Sequence, residues 1–277
     1  MAEITAADVR ELREKTGLPM MDCKRALQET DGDAEKAIEL LRKAGAKTME
    51  KRAGRATTAG RIAVHADFGK VGAMVDLRCE SAPVATNDDF VQLATDLVEQ
   101  LATGPGAATP EELLAQPSPS KPGQTLQQQF DDLTNRIREV FRLPRIVRVD
   151  GTCGGYAHHN GATGVLLQVE GGNADLAKDI CMHIAAMRPT ALGVEDLDPA
   201  VVVKEHEILV EVARSEGKPE NIIEKMVEGR MKNFYAQQCL TEQPFVKAED
   251  GKATVGEIAD QAGMKILRFV HWELEKE

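Results

Sequence analysis

The chain has 277 residues, and its 34 lysines and arginines against 45 aspartates and glutamates give a formal charge of −11. Apolar residues make up 42% of the chain, near the usual share for globular proteins, whereas aromatic residues make up only 4%. An acidic chain with few aromatic side chains is poorly suited to general binding of single-stranded nucleic acid. The length predicts roughly two domains of ~100–200 residues.

Membrane insertion, secretion and disulfide bonding are not predicted. No apolar run approaches the ~18 residues that a membrane-spanning helix needs, and the N-terminus lacks the basic and apolar regions of a secretory signal. The cysteines are widely spaced and include no Cys-x-x-Cys pair: Cys23, Cys79, Cys153, Cys181 and Cys239. We therefore expect a cytoplasmic protein that carries no bound metal and no cofactor.

The first 45 residues predict three short helices, over 5–17, 19–30 and 33–45. Thr5 and Asp33 are suited to cap the first and third helices, and Gly17 and Gly45 are suited to end them. Residues 42–61 follow with seven basic residues against one glutamate, a net charge of 7 − 1 = +6. We interpret them as a charged helix end and a flexible linker, with a contact to RNA as the alternative.

The hydrophobic period then changes from 3.6 to 2 residues. Residues 62–79 alternate in polarity and predict a β-hairpin, and Asn87 can cap the helix that follows. Residues 104–123 contain five prolines and three glycines, which predicts a loop. A further helix is predicted over Thr125–Phe141.

The same order of strands followed by a helix recurs in the second half of the chain. Strands are predicted over 146–149, 156–159 and 164–169, and Asn173 can cap a helix that ends before Pro189. Strand, strand and helix thus occur at 61–102 and again at 146–187, which indicates two related subdomains.

Two long helices come next, Pro199–Glu216 and Pro219–Phe234, and the tight connection at Gly217 and Lys218 predicts that they are antiparallel. Their expected contact seam contains Val202, Ile208 or Leu209, Val212, Ile222, Met226 and Phe234. The tail predicts a short helix near 255–262 and a last strand over 265–274.

These patterns predict an α+β chain with three units. Residues 1–53 form a three-helix domain with its basic linker, and residues 54–142 form a first core subdomain built from a β-hairpin and helices. Residues 143–277 form a second core subdomain, which carries an antiparallel helical hairpin at about 198–235.

No cluster of residues predicts an active site. The glycine-rich run 151–155 lacks the spacing of a phosphate-binding loop, so a turn is favoured. Adjacent residues on a strand point to opposite faces, so His158 and His159 are not expected to bind one metal ion with Cys153. No orienting acid is identifiable for Cys153, and thiol catalysis is disfavoured. His183 is interpreted as a partly buried polar residue or a contact.

Met20 and Met21 stand out because they follow Pro19 at a turn between helices, where polar residues are usual. Two interpretations remain equal: an anchor that packs inward, or an adaptable contact patch of the kind that methionine provides. From the residues alone, the chain is expected to be an interaction protein and not an enzyme.

Several blocks in order along the chain resemble the bacterial elongation factor Ts family. They are Leu12-Arg13-Glu14-Lys15-Thr16-Gly17-Leu18-Pro19-Met20-Met21-Asp22-Cys23-Lys24-Arg25-Ala26-Leu27, Tyr156-Ala157-His158 followed by Gly164-Val165-Leu166, Met182-His183-Ile184-Ala185-Ala186, Val227-Glu228-Gly229-Arg230-Met231-Lys232 and Gln243-Pro244-Phe245-Val246. The resemblance implies a ubiquitin-associated-like three-helix domain, two core subdomains and a helical hairpin inserted in the second. It also implies nucleotide exchange on elongation factor Tu, in its GDP-bound and nucleotide-free forms.

The resemblance further implies where the partner binds. Leu12, Met20 and Met21 would contact elongation factor Tu from the N-terminal domain, and His158 and His183 from the second subdomain. The segment Ser81-Ala82-Pro83-Val84 would lie near the magnesium ion of the bound nucleotide. The helical hairpin would make a homodimer possible, and neither nucleic acid nor a membrane is expected as a partner.

One departure from the family affects this last site. The family usually reads Cys-Glu-Thr-Asp-Phe-Val-Ala, whereas this chain places Ala82 and Pro83 at the Asp-Phe positions. Asp89-Phe90 is not a substitute, because Phe90 belongs to the inward face of the next helix. We hypothesise that Pro83, with its fixed φ, acts as a rigid apolar wedge. A protein-binding adaptor without exchange activity is the alternative. The C-terminal extension is also shortened, ending in Glu273-Leu274-Glu275-Lys276-Glu277.

Overall fold

The computed structural model describes residues 4–217, 219–248 and 251–274. In this part of the chain, eleven α-helices accompany two three-stranded antiparallel sheets, which confirms the α+β class. The strands are β1 Ala59–Asp67, β2 Val71–Cys79, β3 Arg142–Asp150, β4 Cys153–Ala157, β5 Thr163–Gly171 and β6 Met264–Glu273. The helices are α1 Ala6–Thr16, α2 Met20–Glu29, α3 Ala34–Glu50, α4 Ala82–Ala85, α5 Asp88–Thr103, α6 Pro110–Leu114, α7 Leu126–Ile137, α8 Ala174–Met187, α9 Pro199–Ser215, α10 Glu220–Gln238 and α11 Val255–Gln261.

The three N-terminal helices form as predicted, except for the end of α3. Thr5 caps α1 in a capping box with Asp8, and Gly17 ends it with φ 67°. Gly45 was expected to stop α3, and this prediction is wrong, because the helix continues to Glu50. A Cβ atom at Gly45 would lie 1.5 Å from Oδ1 of Asn135 on α7, so this glycine permits close packing between the helices.

The basic segment after α3 is attached to the core, so the prediction of a flexible linker is wrong for residues 52–55. Arg142 donates to the carbonyl oxygens of Ala53 and Arg55 at 2.6 and 3.1 Å. Arg52 donates to the carbonyl oxygen of Arg138. Because these bonds join the segment to the chain around α7 and β3, the N-terminal helices are held against the first subdomain.

The first sheet has the order β1-β2-β3, and its central strand β2 is buried on both faces. One face packs against α5 and α7 through the largest apolar cluster of the described residues, which includes Val75, Leu77, Phe90 and Leu97. The other face contacts β4 and β5 of the second sheet. The predicted cap Asn87 is confirmed, since its side chain accepts a hydrogen bond from the backbone of Asp89.

The second sheet has the order β4-β5-β6. The run 151–155 forms a turn and the start of β4, and a Cβ atom at Gly154 would lie 2.6 Å from Cβ of Ala177 on α8. The glycine therefore allows the strand to pack closely against α8. Asn173 caps α8 as predicted.

The internal repeat differs from the predicted one, because the strand predicted at 146–149 is part of β3 and pairs with β2. Each half instead contains a hairpin, then helices, then a third strand that joins the hairpin. This topology favours a subdomain boundary between Asp150 and Cys153 over one at residue 142. We propose that the three-unit division of the chain holds with this later boundary.

Two predicted segments have different ends. The loop over 104–123 contains the short helix α6, and α7 ends at Ile137 instead of Phe141. Arg138 adopts a left-handed conformation with φ 65°, which terminates α7. Phe141 follows in the loop, and its ring packs edge-on against that of Phe90 at 5.0 Å.

The helical hairpin consists of α9 and α10, which pack against each other. The predicted seam is partly wrong. The residues buried between the two helices are Ala213, Ile223, Val227 and Met231, and the predicted Val202, Leu209 and Phe234 pack against them. Ile208, Val212 and Ile222 are exposed, together with Val201 and Val203. The predicted joint includes Lys218, and the predicted tail ends with residues 275–277; these residues lie outside the described ranges. Among the described residues, no helix has the length and apolarity needed to cross a membrane.

Candidate partner-binding site

The segment Ser81–Val84, termed the exchange segment after the role that the resemblance implies, lies at the turn between β2 and α5. Ala82 and Pro83 begin the four-residue helix α4, and both are exposed to solvent. Val84 packs against the core of the first subdomain, and Ala85 is buried. The segment therefore presents an apolar turn on a buried base.

Met20 and Met21, termed the methionine patch, are exposed by 49% and 63% at the start of α2. This exposure favours a contact patch over an inward anchor. Leu12 is different: it is buried with Val9 and Leu27 in the core of the three helices. The structure therefore does not present Leu12 to a partner, and its contact role stays a prediction. Its side chain supports the packing beneath α2.

Residues next to the methionine patch and next to the exchange segment are bonded to one loop, formed by residues 138–141 between α7 and β3. Asp22, next to Met21, accepts a hydrogen bond from Arg138 at 2.7 Å. On the other side of the loop, the backbone N–H of Val140 donates to Glu80 at 2.8 Å. The fold thus connects, through this loop, two candidate contact regions that lie about sixty residues apart in the sequence.

Ion pairs also hold the N-terminal helices against α7. Arg42 on α3 makes a bidentate pair with Asp132 on α7, with both N···O distances 2.9 Å. Bidentate pairs between arginine and carboxylate fix orientation as well as distance. The position of the methionine patch relative to α7 is therefore set by Arg42 and by the pair between Arg138 and Asp22.

His158 lies in the turn after β4 and is half-buried. Its Nδ1 is 2.7 Å from the hydroxyl oxygen of Tyr156, and its ring centroid is 4.3 Å from that of His159. The prediction that the two histidines diverge is wrong, because β4 ends at Ala157 and the alternation of a strand ends with it. Among the described residues there is no group of three or more potential metal-binding side chains.

His183 is 0% exposed and lies inside the second subdomain. Its Nε2 lies 2.9 Å from Oε1 of Gln243, and its Nδ1 accepts from the backbone N–H of Val246 at 3.3 Å. The side chain is therefore not presented to a partner, and its contact role stays a prediction. His183 instead joins two of the sequence blocks, 182–186 and 243–246, and holds the second against α8.

The five cysteines lie within the described residues and all are buried. Burial raises the pKa of the Cys79 thiol to about 12 and that of the Cys153 thiol to about 11. Burial also raises the pKa of Cys181 and Cys239. A thiol must ionise to act as a nucleophile, so these environments oppose cysteine chemistry near neutral pH.

Two residues next to the exchange segment were not identified from the sequence. Glu139 accepts a hydrogen bond from the backbone N–H of Ser81, the residue after Glu80. Glu80 accepts one from the backbone N–H of Val140, the residue after Glu139. The two glutamates are 59 positions apart. Glu80 belongs to the Cys-Glu motif described above, but Glu139 belongs to no motif, and no sequence pattern pairs the two. Only the pairing of β2 with β3 brings them together.

Comparison with known proteins identifies the family. The family model for elongation factor Ts matches residues 80–276. An elongation factor Ts from Methylococcus capsulatus is 43% identical over 275 residues, which cover 98% of this chain and 92% of that protein. The corresponding proteins of Kineococcus radiotolerans and Mycobacterium tuberculosis are 41% and 40% identical, over 98% and 99% of both chains respectively. The chain belongs to the elongation factor Ts family.

Membership of the elongation factor Ts family makes this protein a translation elongation factor. The family match begins at Glu80, immediately before the exchange segment, and ends at Lys276. The relatives also align with the N-terminal helices, since the alignments cover nearly the whole chain. The exchange segment and the methionine patch therefore both belong to the region shared with elongation factor Ts proteins.

Proposed function

We propose that this protein binds elongation factor Tu in its GDP-bound and nucleotide-free forms and promotes GDP release by disturbing the magnesium–phosphate site, which allows GTP to load. The observation that carries the proposal is the exposed Ala82–Pro83 turn, which sits on a buried base. Such a turn can enter a partner's cleft without an entropic cost for ordering a loose loop. A translation factor of this kind acts in the cytoplasm.

The mechanism requires differential binding and no covalent step, so the protein acts as an exchange factor and not as an enzyme. A GTPase of the P-loop class holds its nucleotide through backbone amides, a lysine and Mg²⁺. Any group that fits the partner only when this site is distorted weakens GDP binding. The coupling is reciprocal, because GDP then weakens the binding of the exchange factor by the same factor. A ~10⁴-fold shift needs about 5.5 kcal/mol of differential binding.

The exchange segment would act through shape rather than charge. Ala82 offers neither a carboxylate nor a hydrogen-bond acceptor in its side chain, and Pro83 has a fixed φ. Ser81 and Val84 flank the turn and would set how far it projects. We therefore propose that Pro83 displaces groups around the metal as a rigid apolar wedge. His158, half-buried and next to the exposed His159, is proposed as a further contact from the second subdomain.

Replacing Pro83 with glycine is expected to slow GDP release at saturating exchange factor by about tenfold, because glycine restores freedom to a turn that must be rigid. Stopped-flow release of a fluorescent GDP analogue from elongation factor Tu, in excess GDP and millimolar Mg²⁺, measures this rate. Pro110, which begins α6, offers a matched control, and Pro110→Gly should leave the rate unchanged. Equal rates for Pro83→Gly and the unaltered protein would contradict the wedge.

Replacing Met20 and Met21 together with alanine is expected to weaken binding to elongation factor Tu by about 10- to 100-fold. Together the two methionines would otherwise bury apolar surface worth about 1.5–3 kcal/mol on binding. Titration calorimetry measures the affinity, and circular dichroism shows whether the helices remain folded. Met187 on α8 is exposed by 44%, so Met187→Ala serves as the control. Unchanged affinity in the folded double variant would exclude the patch.

A second candidate function is an adaptor that binds elongation factor Tu without exchange, and the replacement of Asp-Phe by Ala82-Pro83 favours it. The stopped-flow assay separates the two. Acceleration of GDP release that saturates with protein concentration supports exchange. A stable complex that releases GDP at the intrinsic rate supports the adaptor and contradicts the exchange proposal.

A further inference from the structure

The exchange segment cannot hold its conformation by its own helix. Helix α4 has only four residues, far fewer than an independently stable helix needs. Ser81 occupies the N-cap position, where a serine hydroxyl usually accepts a hydrogen bond from the first turn, but its side chain makes no such bond. Something outside the segment must therefore fix its orientation.

Two carboxylates supply that support by bonding in opposite directions across the turn. Glu139 accepts hydrogen bonds from the backbone N–H of Ser81 at 3.0 Å and from its hydroxyl at 2.6 Å. In return, Glu80 accepts from the backbone N–H of Val140 at 2.8 Å. We term this reciprocal arrangement the carboxylate brace. Hydrogen bonds to an ionised carboxylate are stronger than bonds between neutral groups, so the brace couples the two loops firmly.

A third arm connects the brace to the N-terminal helices. Arg55, in the basic segment after α3, donates to the second oxygen of Glu80 at 2.9 Å. Burial acts to raise the pKa of the Glu80 carboxyl, but the hydrogen bonds from Arg55 and Val140 outweigh it and hold that pKa below its usual range. Glu80 therefore stays ionised near neutral pH, as the brace requires.

We infer that Glu139 and Glu80 are positioning residues for nucleotide exchange, which hold the Ala82–Pro83 turn in the orientation that enters the partner. The inference rests on the proposed exchange function. The base of the turn is fixed by Val84 in the core, and the brace fixes its first residue, Ser81. Without the brace, the turn would pivot on Val84. It would then have to become ordered during the step that releases GDP, which lowers the rate of that step and not the affinity of initial binding to elongation factor Tu.

The test removes one bond at a time. Ser81→Ala deletes the hydroxyl that donates to Glu139, and Ser81→Thr restores a hydroxyl at the same position. Glu139→Gln keeps the shape of the side chain but removes its charge and one acceptor. Thr95 donates to a backbone carbonyl oxygen on α5 and does not contact the brace, so Thr95→Ala is the matched control.

The readouts are the maximal rate of GDP release and the concentration of this protein at half-saturation, measured separately in the stopped-flow assay. We expect Ser81→Ala and Glu139→Gln to lower the maximal rate by ~3- to 10-fold, in the range expected for the net free energy of one typical hydrogen bond. The half-saturating concentration should stay within about twofold, because initial docking does not use the brace. Ser81→Thr should restore the rate, and Thr95→Ala should not change it.

The outcomes separate the inference from the function on which it rests. If the unaltered protein fails to accelerate GDP release, the exchange proposal is contradicted, and the positioning role falls with it. If the unaltered protein accelerates release but Ser81→Ala and Glu139→Gln match its maximal rate, only the brace is overturned. A loss of rate that Ser81→Thr does not restore would also overturn it, since that points to general structural damage.

Discussion

Replacing Asp76 with asparagine is expected to lower the free energy of unfolding by about 3–5 kcal/mol, the range measured when one partner of a buried ion pair is removed. Asp76 is 0% exposed in the central strand β2. Its carboxylate accepts two hydrogen bonds from Arg78, at 2.6 and 2.9 Å, and one from Arg145, at 2.9 Å. Asparagine keeps the size of the side chain but leaves both guanidinium groups without a counter-charge.

Urea denaturation at neutral pH measures this loss. Asp150 offers a matched control, since it pairs with Arg148 at 3.0 Å but its side chain is 79% exposed. Exposed pairs contribute only about 0–1 kcal/mol, so Asp150→Asn should have little effect. A loss below about 1 kcal/mol for Asp76→Asn would mean that water or rearrangement compensates the two arginines.

The consequence extends beyond the first sheet. The guanidinium group of Arg145 lies 4.5 Å from the ring centre of Trp272, and the same group donates to the carbonyl oxygen of Glu273 at 3.2 Å. Both of these residues belong to β6 of the second sheet. Asp76 orients Arg145 for both contacts, so its replacement is expected to weaken the junction between the two subdomains.

Asp76 also illustrates where sequence patterns fail. Alternation along β2 assigned it to a polar face, which is correct for an isolated hairpin. In the folded chain that face is covered by the second sheet, and the charge is buried with its partners. A period of two residues reports which side chains share a face and does not report what later covers that face.

Local signals were reliable because their physics is local. Thr5, Asn87 and Asn173 were predicted as helix caps, and each accepts a hydrogen bond from a residue two or three positions later. Gly45 and β3 show the limit. The role of Gly45 depends on Asn135, and β3 pairs with a strand about seventy residues earlier, so neither could be inferred from neighbouring residues.

For the candidate site too, the sequence indicated some features and not others. The exposure of Met20 and Met21 agrees with their position after Pro19 at the start of a helix. Leu12 and His183 belong to blocks shared with the family, yet both are buried, because residues in such blocks can serve packing as well as contact. Family resemblance locates a functional region, and burial then decides which side chains can reach a partner.

Stability is expected to fall as the pH decreases below about 6.5, because His183 is held neutral in the folded chain. Burial lowers the pKa of His183, although its hydrogen bond to Gln243 acts in the opposite direction. The neutral ring donates from Nε2 to Gln243 and accepts at Nδ1 from Val246. A proton on Nδ1 would face a second donor, the N–H of Val246, and break this arrangement.

The direction in which stability changes with pH follows from the difference in proton uptake between the folded and the unfolded chain. The unfolded chain takes up a proton on this histidine near pH 6.5, before the folded chain does, so unfolding is favoured as the pH falls further. The slope is at most about 1.4 kcal/mol per pH unit for one group. Burial also lowers the pKa of His271, which adds a second contribution in the same direction. Carboxylates titrate mainly below pH 5, so the window from pH 7 to pH 5.5 isolates the histidines.

Urea denaturation at pH 8, 7, 6 and 5.5 tests this expectation, with His183→Asn and His271→Gln examined singly and together. His183→Asn should lower stability at pH 8, because the acceptor of Gln243 loses its donor, and it should also flatten the decline between pH 7 and pH 5.5. His271→Gln should remove only its own part of that slope. If the slope of the free energy of unfolding against pH is unchanged in His183→Asn, groups other than His183 cause the pH dependence. A flattened slope would show that one buried imidazole, shared between two blocks typical of the family, holds residues 243–246 against α8 only while it is neutral.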